Sequence, residues 1–299
     1  VTIFGESGGG WKVSLLMAMP GARGLFHKAV IQSGPGLTAK PVKEATETAR
    51  ALLAALGVDT PQALAAVPTD ALSKASVKVP GELLRLYAPV LDGTAIPRHP
   101  FQPDAAPLNA DVPLMIGTNK DESTLFLLSH PRFGEFAEDD VKAQATNAAG
   151  AKAEALIAAL RRAFPDYGPT HLAAAAQTAG NMWINSVRLA ERKAAQKAAP
   201  VFMYMLTWET PVSRGRLKCP HALEIPLVFD NVEKARNFVG RGEEPQQVAD
   251  QMSEAWLRFA RTGDPGWPAY EAARRTTRIF DVESRLENDP LAEVRAVLS

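Results

Sequence analysis

A chain of 299 residues with 33 basic and 33 acidic side chains carries no net charge, which argues against nucleic acid or an anionic membrane surface as partner. Its hydrophobic content of 46% suits a globular core, and no apolar run approaches the ~20 residues that span a bilayer. The one cysteine, Cys219, excludes an internal disulfide, so this chain does not depend on an oxidising compartment, and with no methionine at position 1 the sequence leaves localisation open.

The first element is β-prone, Val1–Phe4, and breaks into glycines around one serine before a helix over Trp11–Met19. A phosphate cradle would need Gly-x-x-x-x-Gly-Lys-Ser/Thr, but Trp11 follows Gly10 and Lys12 comes one place late. The dinucleotide pattern fails because Ser7 stands where the second glycine is required. Gly5-Glu6-Ser7-Gly8-Gly9 does satisfy Gly-x-Ser-x-Gly, a strand-to-helix turn whose strain aims a serine hydroxyl outward.

Lys28–Ser33 reads as a second buried strand, and short helices follow over Glu44–Leu56, Pro61–Val67 and Thr69–Ala75. Ala88–Gly93 is a short extended piece turning at Asp-Gly, and Val112–Gly117 is a third core strand. From Glu122 to about Lys197 the pattern is almost wholly helical, with His171–Ala198 long and amphipathic. Val201–Trp208 is a fourth strand, Leu223–Phe229 and Gln246–Thr262 are helices, and Thr277–Asp281 reads as an edge strand. Alternating strands and helices predict an α/β fold with a mostly parallel sheet, in one domain with helical insertions at about 37–87 and 123–198.

A serine hydroxyl is a poor nucleophile until a base takes its proton, and a carboxylate must orient that base. In α/β-hydrolase folds these groups follow in the order Ser, Asp/Glu, His, each past the carboxyl end of a strand. Of the five histidines, His27 enters the second strand from its amino end, His99 precedes the third strand, and His130 and His171 fall in helical insertions. Only His221 lies in a loop between an apolar strand and the next helix. The acid should follow the third strand, where position alone does not choose between Asp121 and Glu122.

The segments VTIFGESGGG, GLFHKAVIQSG, PVLDGTAIP, GTNKDESTLF, HALEIPLVFD and WLRFARTGDP together resemble the type-B carboxylesterase (cholinesterase-like) family, most closely its bacterial members. The resemblance runs over essentially the whole chain. It implies an α/β-hydrolase fold and hydrolysis of carboxylic esters through a serine acyl-enzyme, with Ser7 as nucleophile, Glu122 as acid and His221 as base. It makes Asp121 a neighbour of the acid and Glu224 a supporting residue, and Glu6 is read as supporting as well. Ser123 stands where the family usually has Gly, and Gly8 where many members have Ala. The Gly8 N–H would serve the oxyanion hole. The HGGG-type loop that would complete it does not occur in this sequence.

That gap leads to the expectation of a C-terminal piece of a longer esterase, holding about the last four core strands, with Val1–Phe4 at an open sheet edge and little activity alone. Trp11, Phe126, Leu127, Met182 and Trp183 are candidate pocket linings that would more often be core. No cofactor and no metal is implied, the partner is a small-molecule ester, and the oligomeric state is open. A non-catalytic interaction domain of the same fold, and a lactonase or amidase using the same triad, are the alternative readings.

Overall fold

The computed structural model describes residues 1–80 and 86–299. Residues 81–85 fall inside the first helical insertion read from the sequence and lie outside the described residues. Eight strands are described: β1 (Thr2–Glu6), β2 (Lys28–Gln32), β3 (Lys40–Pro41), β4 (Val90–Leu91), β5 (Leu114–Asn119), β6 (Val201–Leu206), β7 (Thr276–Phe280) and β8 (Arg285–Asn288). Six of them form one sheet in the order β1-β2-β5-β6-β7-β8, and β3 and β4 pair as a separate short ladder.

The large sheet is parallel from β1 to β7, and β8 closes it antiparallel. A parallel sheet needs cover on both faces, which explains why β5 and β6 are buried at every position. Alternation sorts their side chains onto the two faces. Ile31, Leu114, Ile116, Met203 and Met205 meet Leu172, Ala176, Val187 and Ala190 of the helices Pro169–Thr178 and Ile184–Ala194. On the opposite face Val30, Met115, Phe202 and Tyr204 meet Leu227, Met252, Trp256 and Phe259 from Glu224–Val228 and Glu244–Thr262. Each such Leu, Ile, Met or Phe taken wholly out of water contributes roughly 1.5–3 kcal/mol.

Several expectations need correction. The sheet has six strands where four core strands and one edge strand were expected: β7, over Thr276–Phe280, pairs on both sides, and β8 is the edge. β8 gives no hydrophobic alternation to read, since Arg285, Leu286 and Asn288 are exposed. The long helix expected over His171–Ala198 runs from Pro169 to Ala194 and passes through a π turn at Ala179–Trp183, where a Cβ on Gly180 would lie 2.4 Å from that of Ala148. A terminal helix, Ala292–Leu298, was not foreseen. Among the described residues no helix is long and apolar enough to cross a membrane.

The carboxyl ends of β1, β2, β5 and β6 share one edge of the sheet, because the four strands run in parallel register. In open parallel sheets this is the edge where ligands bind. Gly117 of β5 allows Tyr204 of β6 to lie flat across it: a Cβ there would fall 2.4 Å from the Tyr204 ring. Gly117→Ala is therefore expected to cost about 1–3 kcal/mol of stability through overpacking. Urea unfolding measures it, and an unchanged midpoint would refute this packing account.

Candidate active site

β1 ends at Glu6, and the helix Gly8–Leu16 starts at Gly8, so Ser7 alone makes the turn. Its φ of 55° and ψ of −119° lie in a sparsely populated region, at a cost of order 1–3 kcal/mol for a non-glycine residue. The surrounding structure holds it there. Ser7 N–H donates to Gln32 O (2.8 Å), and Trp11 N–H donates to Ser7 O (3.0 Å). A Cβ on Gly34 would lie 2.0 Å from Ser7 O, one on Gly5 2.3 Å from Gly9 C, and one on Gly10 3.0 Å from Gly5 O. Gly9, the last glycine of the five-residue motif, has open space where its Cβ would be. The close packing thus falls on Gly5, Gly10 and Gly34, and the sequence pattern had marked only the first. At Gly8 a Cβ would meet nothing nearer than Lys12 Nζ at 3.9 Å, so an alanine would fit this place. The N–H of Gly8 belongs to the first helical turn, whose donors have no partner within the helix.

The loop after β5 carries Asp121 and Glu122, both fully buried, and their side chains part company. Glu122 Oε2 lies 2.6 Å from His221 Nδ1, and its Oε1 accepts the N–H of Asn119 (2.7 Å). Asp121 turns to the other side, where it accepts from Tyr167 Oη (2.7 Å) and from Cys219 N–H (3.2 Å). The choice that position left open is thereby made by side-chain direction. Ser123 opens the helix Ser123–Leu127 and donates its N–H to Thr178 Oγ1 (3.0 Å), a conformation that does not require glycine.

His221 sits on a loop stitched to that acid loop. His221 N–H donates to Glu122 O (3.3 Å), Asp121 N–H to Cys219 O (3.0 Å), Asn119 Nδ2 to Pro220 O (2.8 Å) and Thr124 Oγ1 to Leu217 O (2.7 Å). Ala222 follows at φ 66°, a left-handed turn that brings the chain into Glu224–Val228. The Phe126 ring packs against the imidazole at 4.9 Å between centroids. Nε2 makes an ion-pair contact with Glu6 Oε1 at 3.0 Å, and Glu6 directly precedes Ser7 in the chain.

Three carboxylates surround this one imidazole. Burial would lower the His221 pKa, but the hydrogen bond and charge of Glu122, with the charges of Glu6 and Glu224, outweigh it and raise the value. Burial also raises Glu6, against the pull of His221. Glu224 is pushed up to about 7 by burial and by the charges of Glu122 and Glu6, although Asn119 donates to it. A chain of hydrogen bonds supports it: Trp256 Nε1 to Gln32 Oε1 (3.1 Å), Gln32 Nε2 to Glu224 Oε1 (3.3 Å), and Asn119 Nδ2 to Glu224 Oε2 (2.7 Å). Gln32, Asn119 and Trp256 were not singled out from the sequence, although a glutamine ending an apolar strand was a usable signal.

The remaining candidates lie elsewhere. His99 accepts from Ala39 N–H, His130 from Arg132 N–H, and His171 meets Arg216 O, all away from the turn. Trp183 is core, Leu127 packs on the main core, and Trp11 packs beside Leu15 and Ile96. Cys219 is a buried free thiol whose Sγ faces Leu206 O.

Two predictions follow from this geometry. Gly34→Ala should unfold or expel the Ser7 turn, whereas Gly9→Ala should melt within about 1 kcal/mol of the parent, as a helical glycine exchanged for alanine does; equal melting of the two variants would refute the packing argument. Glu6→Gln removes one of the charges that favour imidazolium, so the His221 pKa should fall, as read by an NMR titration of the ring. A rise would contradict the electrostatic account.

The chain resembles known proteins along nearly its whole length. Residues 1–288 match the carboxylesterase family. The chain is 33% identical to the para-nitrobenzyl esterase of Bacillus subtilis, over 100% of this chain and 62% of that protein. It is 30% identical to the phenmedipham hydrolase of Pseudarthrobacter oxydans, over 91% of this chain and 57% of that one. The solved carboxylesterase of Geobacillus stearothermophilus superposes with a TM-score of 0.84 at 33% identity, covering all of this chain and 64% of that structure. The chain therefore spans about three-fifths of the length of these relatives. With its mostly parallel sheet, its helical cover and this match over residues 1–288, the chain is a member of the carboxylesterase family with an α/β-hydrolase fold.

Proposed function

We propose that the protein to which these residues belong hydrolyses carboxylic esters through a serine acyl-enzyme, with Ser7 as nucleophile, His221 as base and Glu122 as the acid that orients it. The observation that supports this reading is the 2.6 Å contact between Glu122 and His221 Nδ1, together with the strained Ser7 turn at φ 55°. Glu122 holds the Nδ1 proton and leaves Nε2 as the nitrogen able to take the Ser7 proton. Ser7 Oγ attacks the ester carbonyl, the alcohol leaves with the proton from Nε2, and water repeats the sequence to release the acid.

The developing oxyanion is met by the Gly8 N–H at the helix start, and each such donor contributes about 10²–10³ in rate. Glu6 and Glu224 support the imidazolium that forms in between, since both charges favour protonated His221. The named relatives are a para-nitrobenzyl esterase, a phenmedipham hydrolase and a carboxylesterase, and two of these three names support an ester as substrate.

A fluorophosphonate probe tests the assignment without requiring turnover. Ser7 should be labelled, Ser7→Ala should take no label, and His221→Gln should be labelled at least 10³-fold more slowly, since removal of a triad member costs at least that much. Labelling of another residue, or equal labelling of Ser7→Ala, would overturn the proposal.

A further inference from the structure

Asp121 is as buried as Glu122 and stands next to it, yet it makes no contact with the imidazole among the described residues. Its partners are Tyr167 Oη at 2.7 Å, Cys219 N–H at 3.2 Å and, farther off, Lys120 Nζ at 3.7 Å. Two of these three belong to segments remote in sequence. Cys219 lies two residues before His221, and Tyr167 comes from the helical stretch between β5 and β6, just ahead of Pro169–Thr178.

The Tyr167 ring is gripped as well as its hydroxyl. Phe164 stacks on it at 4.8 Å, His171 lies at 5.5 Å, and Lys120 and Lys218 approach its faces at 5.8 and 5.5 Å. The two lysines share one counter-ion: Glu209 accepts Lys120 on Oε1 (2.7 Å) and Lys218 on Oε2 (2.8 Å). Lys120 precedes the acid loop and Lys218 precedes the base loop. The tyrosine is therefore set at the seam where both loops meet.

We propose that Tyr167 is a positioning residue for the Glu122–His221 pair, acting through Asp121: its hydroxyl fixes the carboxylate that holds the acid loop and the base loop in register. This rests on the assignment of Ser7, Glu122 and His221 made above. The physical argument is one of satisfaction. A buried carboxylate is stable in one orientation only while its oxygens are supplied with donors. Oδ2 is spent on Cys219 N–H, beside the base. Oδ1 depends on Tyr167. Remove that hydroxyl and Asp121 must turn to find another donor, which releases Cys219 and with it the segment that carries His221. Burial raises the pKa of Asp121, while Lys120, Tyr167 and Cys219 N–H oppose the rise.

The test uses the whole chain and two readouts. The proton between His221 Nδ1 and Glu122 should give a downfield NMR resonance, assigned by its loss in His221→Gln. Tyr167→Phe should shift or broaden that resonance and slow fluorophosphonate labelling of Ser7 about tenfold, the order expected for a sub-ångström misplacement. In an Asp121→Asn background the same Tyr167→Phe change should have no further effect on labelling. An unmoved resonance with unchanged labelling, or an equal slowing with and without Asp121, would overturn the proposal. Loss of the folded circular-dichroism signal in Tyr167→Phe would assign the contact to the fold alone and overturn it too. If the parent chain shows no His221 resonance and Ser7 takes no label, the triad assignment itself fails.

Discussion

Three carboxylates packed around one buried imidazole form the constraint on which the rest of this site depends. Like charges so close and so far from water are costly unless hydrogen bonds and a cation offset them. Each of Glu122 and Glu224 is therefore supplied with donors from the sheet edge: the backbone and side-chain amides of Asn119, and Gln32. Glu224 lessens the repulsion further, since with its pKa pushed up to about 7 it carries a proton for part of the time near neutrality. The parallel sheet makes this possible by delivering β1, β2, β5 and β6 to one edge in register.

Much of this was legible in the sequence, for physical reasons. The core strands are continuous apolar runs because the sheet is covered on both faces, and β2, β5 and β6 were found within two residues of their ends. The Ser7 turn was legible because a glycine-rich run around one serine follows a β-prone strand, and Gly5 and Gly10 of that run do close on each other. His221 emerged by elimination, since only one histidine follows a strand at the correct end. What stayed hidden depends on tertiary contact. Position along the chain does not separate Asp121 from Glu122; the family resemblance pointed to Glu122, and the rotation of the side chains separates the two. Gly34 shields Ser7 from across 27 positions of sequence, and Tyr167 lies in a helical stretch with no local mark of its role. β8 escaped because an exposed edge strand needs no alternation.

The comparisons add scale to this picture. Relatives at 30–33% identity share the fold over all or nearly all of this chain, which accounts for 57–64% of their length. Within that span lie the Ser7 turn and the loops of Glu122 and His221, which follow three different strands. Two of those strands, β5 and β6, are interior and buried throughout, and hydrogen bonds among backbone and side-chain groups join their loops.

The turn is carried differently. Among the described residues β1 is paired on one side only, and Phe4 is 47% exposed. Opening free energies vary across a native structure, and singly paired strands open at lower cost than doubly paired ones. On warming, β1 would exchange its amide protons and carry Ser7 away from His221 while β5, β6 and their stitched loops remained folded. The Ser7 turn is thus the part of this arrangement with the shortest residence in place.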